Sequence, residues 1–371
     1  MTERKKILVA MSGGVDSSVT AAILKDQGHE VAGATIRTWA SNECADRNTR
    51  ACCGLTGVED ARDVAETLGI RYWVFNFEQA FKTHVVDYFA QEYFKGRTPN
   101  PCIACNEHVK FRIFLARARQ LGFDAIATGH YARLDYDRDF RAHYICEGAD
   151  PGKDQSYVLF PLTEDILSHL FLPLGEFTKA EIRAKARALD LCVTDKPDSQ
   201  EICFIPSNDY GTFLQREYIN KKQSPEVLEP AAGVIRTADG KVMGEHEGFY
   251  HYTRGQRRGL GVAHSERLYV VGTNPEKNEV IVGKKTDILN TGCTVGRVNW
   301  FLKSDVGESI RIHCKIRSQH EKAAARMTVL SDGRVQVDFD EAQEAITPGQ
   351  AAVFYRGKAV LGGGWIESFV S

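Results

Sequence analysis

The chain has 371 residues, 43% hydrophobic and 26% charged, a balance expected of a soluble globular protein with room for two or three domains. A formal net charge of −2 excludes a global field for nucleic acid, so any such surface must be a local patch. No run of about 18 apolar residues occurs and Met1–Lys6 lacks an apolar signal core, so the expectation is no membrane span and a cytoplasmic location.

Lys5 to Met11 reads as a short apolar strand, and Val19 to Leu24 as a helix that stops at Gly28. Between them stands Ser12-Gly13-Gly14-Val15-Asp16-Ser17-Ser18. Two glycines let backbone N–H groups approach an anion, two serines add hydroxyl donors, and the helix N-terminus adds partial positive charge. The lysine of a Walker A loop is missing, so the turn suits a pyrophosphate-sized group held without it. His29 to Arg37 reads as a second strand, and residues 38–56, with Cys44, Cys52 and Cys53, as irregular. Helices are expected at Val58–Leu68, Phe81–Phe94 and Asn106–Leu121, closed by Gly69, Gly96 and Gly122. Strands are expected at Tyr72–Phe75 and Asp124–Thr128. This alternation implies a doubly wound parallel sheet, with ligands beyond the C-terminal strand ends.

A further helix fits Tyr210–Tyr218. Beyond it, short alternating runs take over at 267–271, 279–282, 309–313, 335–339 and 352–355. The fold class is therefore α/β, a doubly wound parallel sheet followed by two small β-domains, the last barrel-like. Boundaries fall at residues 1–206, 207–284 and 285–371.

The chain holds ten cysteines, and without a signal sequence they are not expected to form a disulfide framework. In Arg97-Thr98-Pro99-Asn100-Pro101-Cys102-Ile103-Ala104-Cys105-Asn106 the prolines imply an extended, exposed loop. Cys105 then stands at a helix start, where a thiolate is stabilised. A single C-x-x-C leaves metal, cluster and redox pair open, and zinc would draw on further ligands such as Cys52 and Cys53. Cys203, in Ser199-Gln200-Glu201-Ile202-Cys203-Phe204, is a third candidate. Cys44, Cys146, Cys192, Cys293 and Cys314 stand alone and read as structural.

Ser-Gly-Gly-Val-Asp-Ser-Ser resembles the PP-loop of the N-type ATP pyrophosphatases, which cleave ATP between the α and β phosphates and adenylate a substrate. The ordered set of Arg97–Asn106, Ala127-Thr128-Gly129-His130-Tyr131-Ala132-Arg133, Lys153-Asp154-Gln155-Ser156-Tyr157, Ser199–Phe204 and Tyr252–Gly261 resembles, over nearly the whole chain, the tRNA 2-thiouridylases. That resemblance implies ATP with Mg2+, a tRNA whose wobble uridine is adenylated at C2, and a sulfur-relay protein or cysteine desulfurase as sulfur donor. It implies that Cys203 carries a persulfide and that Cys105 attacks or resolves it, leaving a Cys105–Cys203 disulfide. Ala10, Met11, Ser12, Gly13, Gly14, Val15, Asp16, Ser17, Ile36 and Gly129 would line ATP. Asn100, Pro101 and Cys102 would surround the flipped base. His130, Lys153, Asp154, Gln155, Arg317, Ser318 and Gln350 would touch tRNA.

Two departures carry weight. Cys102 stands where many members of the family it resembles carry an aspartate, a general acid or base candidate there, and where others carry cysteine. Cys102, Cys105 and Cys203 are thereby also a possible ligand set for a 4Fe–4S cluster with one open iron, so persulfide and cluster chemistry both stay open. Ser318 replaces a tyrosine, which removes a stacking ring. Arg254, Arg257 and Arg258 form a basic turn that either holds phosphates or is merely solvated. The reading is an ATP-dependent tRNA sulfurtransferase. Its alternatives are a PP-loop ligase amidating a small molecule, for which Cys105 is dispensable, and a non-catalytic tRNA-binding module, which turns over no ATP.

Overall fold

The computed structural model describes residues 3–39, 55–197, 202–205, 209–220 and 232–370. Cys44, Cys52, Cys53, Ser199, Gln200 and Glu201 lie outside them.

Strands β1 (Lys6–Ala10), β2 (Glu30–Arg37), β3 (Arg71–Asn76), β4 (Ala125–Ala127) and β7 (Leu170–Phe171) form one parallel sheet in the order β3-β2-β1-β4-β7. Alternation along β1 sends Ile7 and Val9 to one face and Leu8 to the other. The first face packs on helices Val15–Asp26, Leu55–Thr67 and Lys179–Ala188, so the sheet is covered on both sides. Each glycine expected to end a helix does so in the left-handed region, from Gly28 to Gly122. Order reverses around β1, with β2 on one side and β4 on the other. The turns after β1 and β4 therefore open into the crevice at the switch point.

A mixed four-stranded sheet follows, ordered β10-β11-β8-β9, from β8 (Gly233–Thr237), β9 (Val242–His246), β10 (Tyr269–Asn274) and β11 (Glu279–Gly283). The last six strands are β12 (Leu289–Trp300), β13 (Ser309–Lys315), β14 (Ala323–Val329), β15 (Val335–Glu344), β16 (Ala351–Arg356) and β17 (Ala359–Val370). They run in the order β12-β15-β14-β13-β16-β17, and pairing of β12 with β17 closes them into a barrel.

The hairpin β5 (Ala132–Asp137) and β6 (Ala142–Glu147) leaves the first sheet and adds to the barrel's β17, with Ala359 opposite Cys146. Around that seam Tyr157 donates to Ala351 O at 3.0 Å, Ser156 and Tyr355 share a hydroxyl contact at 3.1 Å, and Asn299 Nδ2 donates to Phe160 O and Leu162 O. Tyr157 and Tyr355 are fully buried there, so the barrel docks on the α/β unit through a core rather than a wet contact.

Candidate functional site

The turn after β1 is braced from within. Gly13 has φ +70°, and a Cβ on it would lie 2.1 Å from the carbonyl oxygen of Gly57, so only glycine lets the turn sit on the neighbouring helix. Ser17 Oγ accepts from Ser12 N at 3.1 Å and donates to Gly14 O, and Ser18 Oγ donates to Gly14 O at 2.9 Å. Ser18 is fully buried. The serine hydroxyls expected to point at a ligand thus largely hold the loop's own shape. Met11 and Val15 bury their side chains in the core, which leaves their backbone as the part that can meet a ligand. Gly129 closes the other wall, because a Cβ there would stand 3.0 Å from Asp16 C and Ser17 N. Ile36 lies on β2, half-buried beside the turn.

Two lysines reach this loop from elsewhere. Lys179 opens the helix Lys179–Ala188, whose start is fixed by a Thr178–Glu181 capping box. Its ammonium, nearly buried, donates to both oxygens of Asp16, and Tyr131 donates to the same carboxylate at 2.7 Å. Lys196 donates to Gly13 O at 2.8 Å and to Asp60 at 2.5 Å. Sequence reading missed Lys179, Lys196 and Tyr131. The Thr178-x-x-Glu181 pattern could have located the helix start, but nothing local names Asp16 as the partner.

The thiol segment differs from its expected form. The helix begins at Pro101, not Asn106: Pro101–Ala104 runs without a break into Cys105–Ile113 and Phe114–Gln120. Pro101 at the first helical position is preset for the helix rather than opposed to it. Asn100 caps it, accepting from Cys102 N at 3.1 Å and Ile103 N at 3.3 Å. The exposed first-turn thiol is therefore Cys102, while Cys105 is buried a turn later. Asn106 Nδ2 donates to Val158 O, and its buried Oδ1 has no partner among the described residues. Cys105 packs in the apolar cluster that contains Phe204 and Ile205, and Cys203 packs against that cluster. Phe204 anchors the approach through edge contacts with Phe81, Phe89 and Phe213 at 5.4–5.7 Å. Among the described residues no three His, Cys, Asp or Glu side chains converge as a metal site. Burial pushes the thiols of Cys146 and Cys293 up to about 11 and about 12, in line with a packing role.

Several expected tRNA contacts are occupied internally. His130 is 8% exposed, with Nδ1 2.8 Å from Thr128 Oγ1, and burial with Lys110 nearby holds it down to about 3, so it is a neutral wall residue. Asp154 accepts from Gly148 N, Ser156 N and Ser156 Oγ. Gln155 Oε1 accepts from Tyr131 N, and Lys153 is half-buried. Gln350 Nε2 donates to Thr98 O at 3.0 Å. Arg317 donates to Glu344 O, and Ser318 is exposed. Arg254 is no phosphate ligand as placed: it is buried, donates to Val271 O and Asn290 Oδ1, and stacks 4.0 Å over Phe369. Arg257 and Arg258 remain exposed.

Three domain families match in order: the tRNA methyl transferase HUP domain at residues 5–207, its PRC-barrel domain at 224–284, and the aminomethyltransferase beta-barrel domain at 290–366. The chain is 48% identical to the tRNA-specific 2-thiouridylase MnmA of Geobacter metallireducens over 99% of both chains. It is 47% identical to that of Carboxydothermus hydrogenoformans over 98% of both, and 48% identical to that of Solibacter usitatus over 97% of this chain and 99% of that one. The chain belongs to the tRNA-specific 2-thiouridylase family. It is therefore an ATP-using tRNA sulfurtransferase of the PP-loop type. A solved 4-thiouridine synthetase–RNA complex with bound ATP overlaps 57% of this chain and 50% of that one at TM-score 0.37 and 19% identity, too slight a likeness to add to this. No helix among the described residues is long and apolar enough to cross a membrane.

Against this family background, "methyl transferase" in the domain descriptions does not describe the site. Its chemistry-bearing groups are the glycine–serine turn and thiols.

Proposed function

We propose that this chain activates C2 of the wobble uridine, U34, by adenylating its oxygen, and replaces that oxygen with sulfur by a persulfide relay between Cys203 and Cys105. The observation that carries this is that the two thiols, far apart in sequence, share one apolar cluster, directly behind a capped helix start.

An amide-like carbonyl oxygen is a poor leaving group, so ATP must activate it. The uridine O2 attacks the α-phosphorus and pyrophosphate leaves, cradled by the backbone of Ser12–Gly14 and the N-terminus of helix Val15–Asp26. The triphosphate's missing loop lysine is replaced by Lys179, poised on Asp16. Magnesium would be held by the substrate's own phosphate oxygens with the Asp16 carboxylate, which already accepts from Lys179 and Tyr131, as the hard protein donor nearest the turn, and would supply charge neutralisation for the leaving pyrophosphate. The terminal sulfur of the Cys203 persulfide then attacks C2 and AMP departs. Cys105 thiolate attacks Cys203 Sγ and expels the thiouridine sulfur. The two thiols are oxidised to a disulfide, which an external dithiol must reduce before the next turnover.

Asn100 and Pro101 frame the base pocket, with Cys102 exposed at its lip. The side chains as they stand do not form a 4Fe–4S site: Cys102 is exposed, Cys105 is buried and Cys203 half-buried, without convergence. The sulfur donor is a carrier of protein persulfide, a relay protein or a cysteine desulfurase, and the setting is the cytoplasm. The ligand-lining roles of Ala10, Met11, Gly13, Val15, Ile36 and Gly129 are backbone and wall contacts in this reading.

The test is anaerobic purification with iron and sulfide analysis, and thiolation of unmodified tRNA by the same sample. Full activity without iron, with a persulfide on Cys203 by mass spectrometry, supports the relay. Stoichiometric iron lost together with activity in Cys102→Ala replaces it with cluster chemistry. Absence of thiolation with a competent donor refutes the function.

A further inference from the structure

The segment leading into the thiol helix is gripped by both other domains. Gly96 lies in the left-handed region, and a Cβ on it would stand 2.8 Å from Thr273 Oγ1 and 2.9 Å from Pro275 Cγ, on the middle sheet's β10 and the turn after it. Thr98 N donates to Pro348 O at 3.0 Å in the barrel. Gly349 adopts φ +93°, and a Cβ there would lie 3.0 Å from both Thr98 N and Thr98 O. Gln350 Nε2 donates to Thr98 O at 3.0 Å and to Pro99 O at 3.4 Å. The next residue, Asn100, caps the helix that carries Cys102 and Cys105.

We propose that Gln350 is a positioning residue for the sulfur-transfer site: its amide ties the barrel to the Thr98–Pro99 carbonyls and so sets where the Asn100 cap and the thiols behind it stand. The resemblance assigns this position to tRNA contact, but here its donor is turned inward on the catalytic strap. Two carbonyls in a row need a donor between them, and an amide or ammonium supplies one. A carboxylate repels both. The barrel, which is remote in sequence, thereby takes part in catalysis through one side chain. The inference rests on reading Asn100–Cys105 as the catalytic segment.

The test uses full-length Gln350→Ala, Gln350→Glu and Gln350→Lys. Three quantities are read: tRNA Kd at fixed salt, the single-turnover thiolation rate, and the rate of Cys105 alkylation by iodoacetamide without tRNA or ATP, located by peptide fragmentation. Loss of the bonds to the strap is expected to slow thiolation about tenfold and speed Cys105 alkylation by a similar factor in the Ala and Glu variants, with tRNA Kd within about twofold. The Lys variant keeps a donor and is expected to recover both rates. A weakened tRNA Kd with thiolation and alkylation rates unchanged would make Gln350 a tRNA contact and overturn the proposal, as would no change in any variant. A Cys105→Ser enzyme that still thiolates would sink the catalytic assignment instead, and the alkylation rates of the Gln350 variants would still report whether the strap exists.

Discussion

Lys179 Nζ stands 2.8 Å and 2.9 Å from the two carboxylate oxygens of Asp16, joining the start of one helix to the anion loop at the start of another. The contact is nearly closed to solvent on the lysine side, with a side-chain exposure of 11%. It gives the loop the cation that its own sequence omits.

Lys179→Met keeps the stem and removes the charge. ATP-dependent AMP formation is expected to fall about ten- to hundredfold, from lost charge-assisted hydrogen bonds at the site of pyrophosphate departure. Lys196→Met, at a more open position, is expected to cost only a few-fold. Pyrophosphate-release assays with saturating tRNA decide this. Equal activity in wild type and Lys179→Met would remove the lysine from the mechanism.

Cys105→Ser and Cys203→Ser separate the two half-reactions. Both are expected to lose thiouridine formation by a factor of about a thousand or more while AMP production on tRNA survives, because neither thiol serves adenylation. Nucleoside mass spectrometry and AMP release, measured on one sample, show whether the halves part in this way.

Arg254 and its neighbours Arg257 and Arg258 are expected to divide by role. Arg254→Ala removes a buried guanidinium that bonds Asn290 and covers Phe369, and is expected to cost about 2 kcal/mol or more of stability. Arg257→Ala with Arg258→Ala is expected to leave the unfolding midpoint unchanged and to lower the salt dependence of tRNA binding. Denaturant melts and binding at two salt concentrations test both halves.

Stability is expected to fall as pH drops below 6.5. Burial holds His130 down to about 3, and burial with Arg112 and His84 nearby holds His108 down to about 4, against an ordinary value of 6.5. In that interval an unfolded imidazole takes up a proton that the folded one refuses, so acid favours unfolding; the contribution is complete above 6.5 and shrinks toward the folded values. Urea midpoints at about pH 7.5 and about pH 5 measure it. His130→Gln should flatten the slope, and an unchanged slope would clear His130 of the effect.

The strand–glycine turn–helix at residues 6–26 was legible because its signals are local: an apolar run, two adjacent glycines and a helical period follow one another within a few residues. The doubly wound sheet was legible through alternating strand and helix periods. What stayed hidden was non-local. Lys179 and Tyr131 meet Asp16 only through the sheet's winding, and Cys105 and Cys203 come to the same apolar cluster only through the packing of distant segments. The helix start at Pro101 was misread because proline was weighed as a breaker, when an asparagine cap before it makes proline a starter. Arg254 is neither the phosphate ligand nor the solvated side chain that the sequence left open, because burial cannot be seen in a run of basic residues. The joining of the β5–β6 hairpin to the barrel was hidden because its partner strand, β17, stands at the far end of the chain.

That hairpin has a consequence for how the chain is made. β6 emerges from the ribosome long before β17, whose Ala359 it meets at Cys146. At about 5–20 residues per second, its edge waits roughly ten to forty seconds for its partner, exposed to any passing strand. Birth of this protein therefore includes an interval in which one face of the first sheet already has its own core while one open strand edge needs guarding, by a chaperone or by haste.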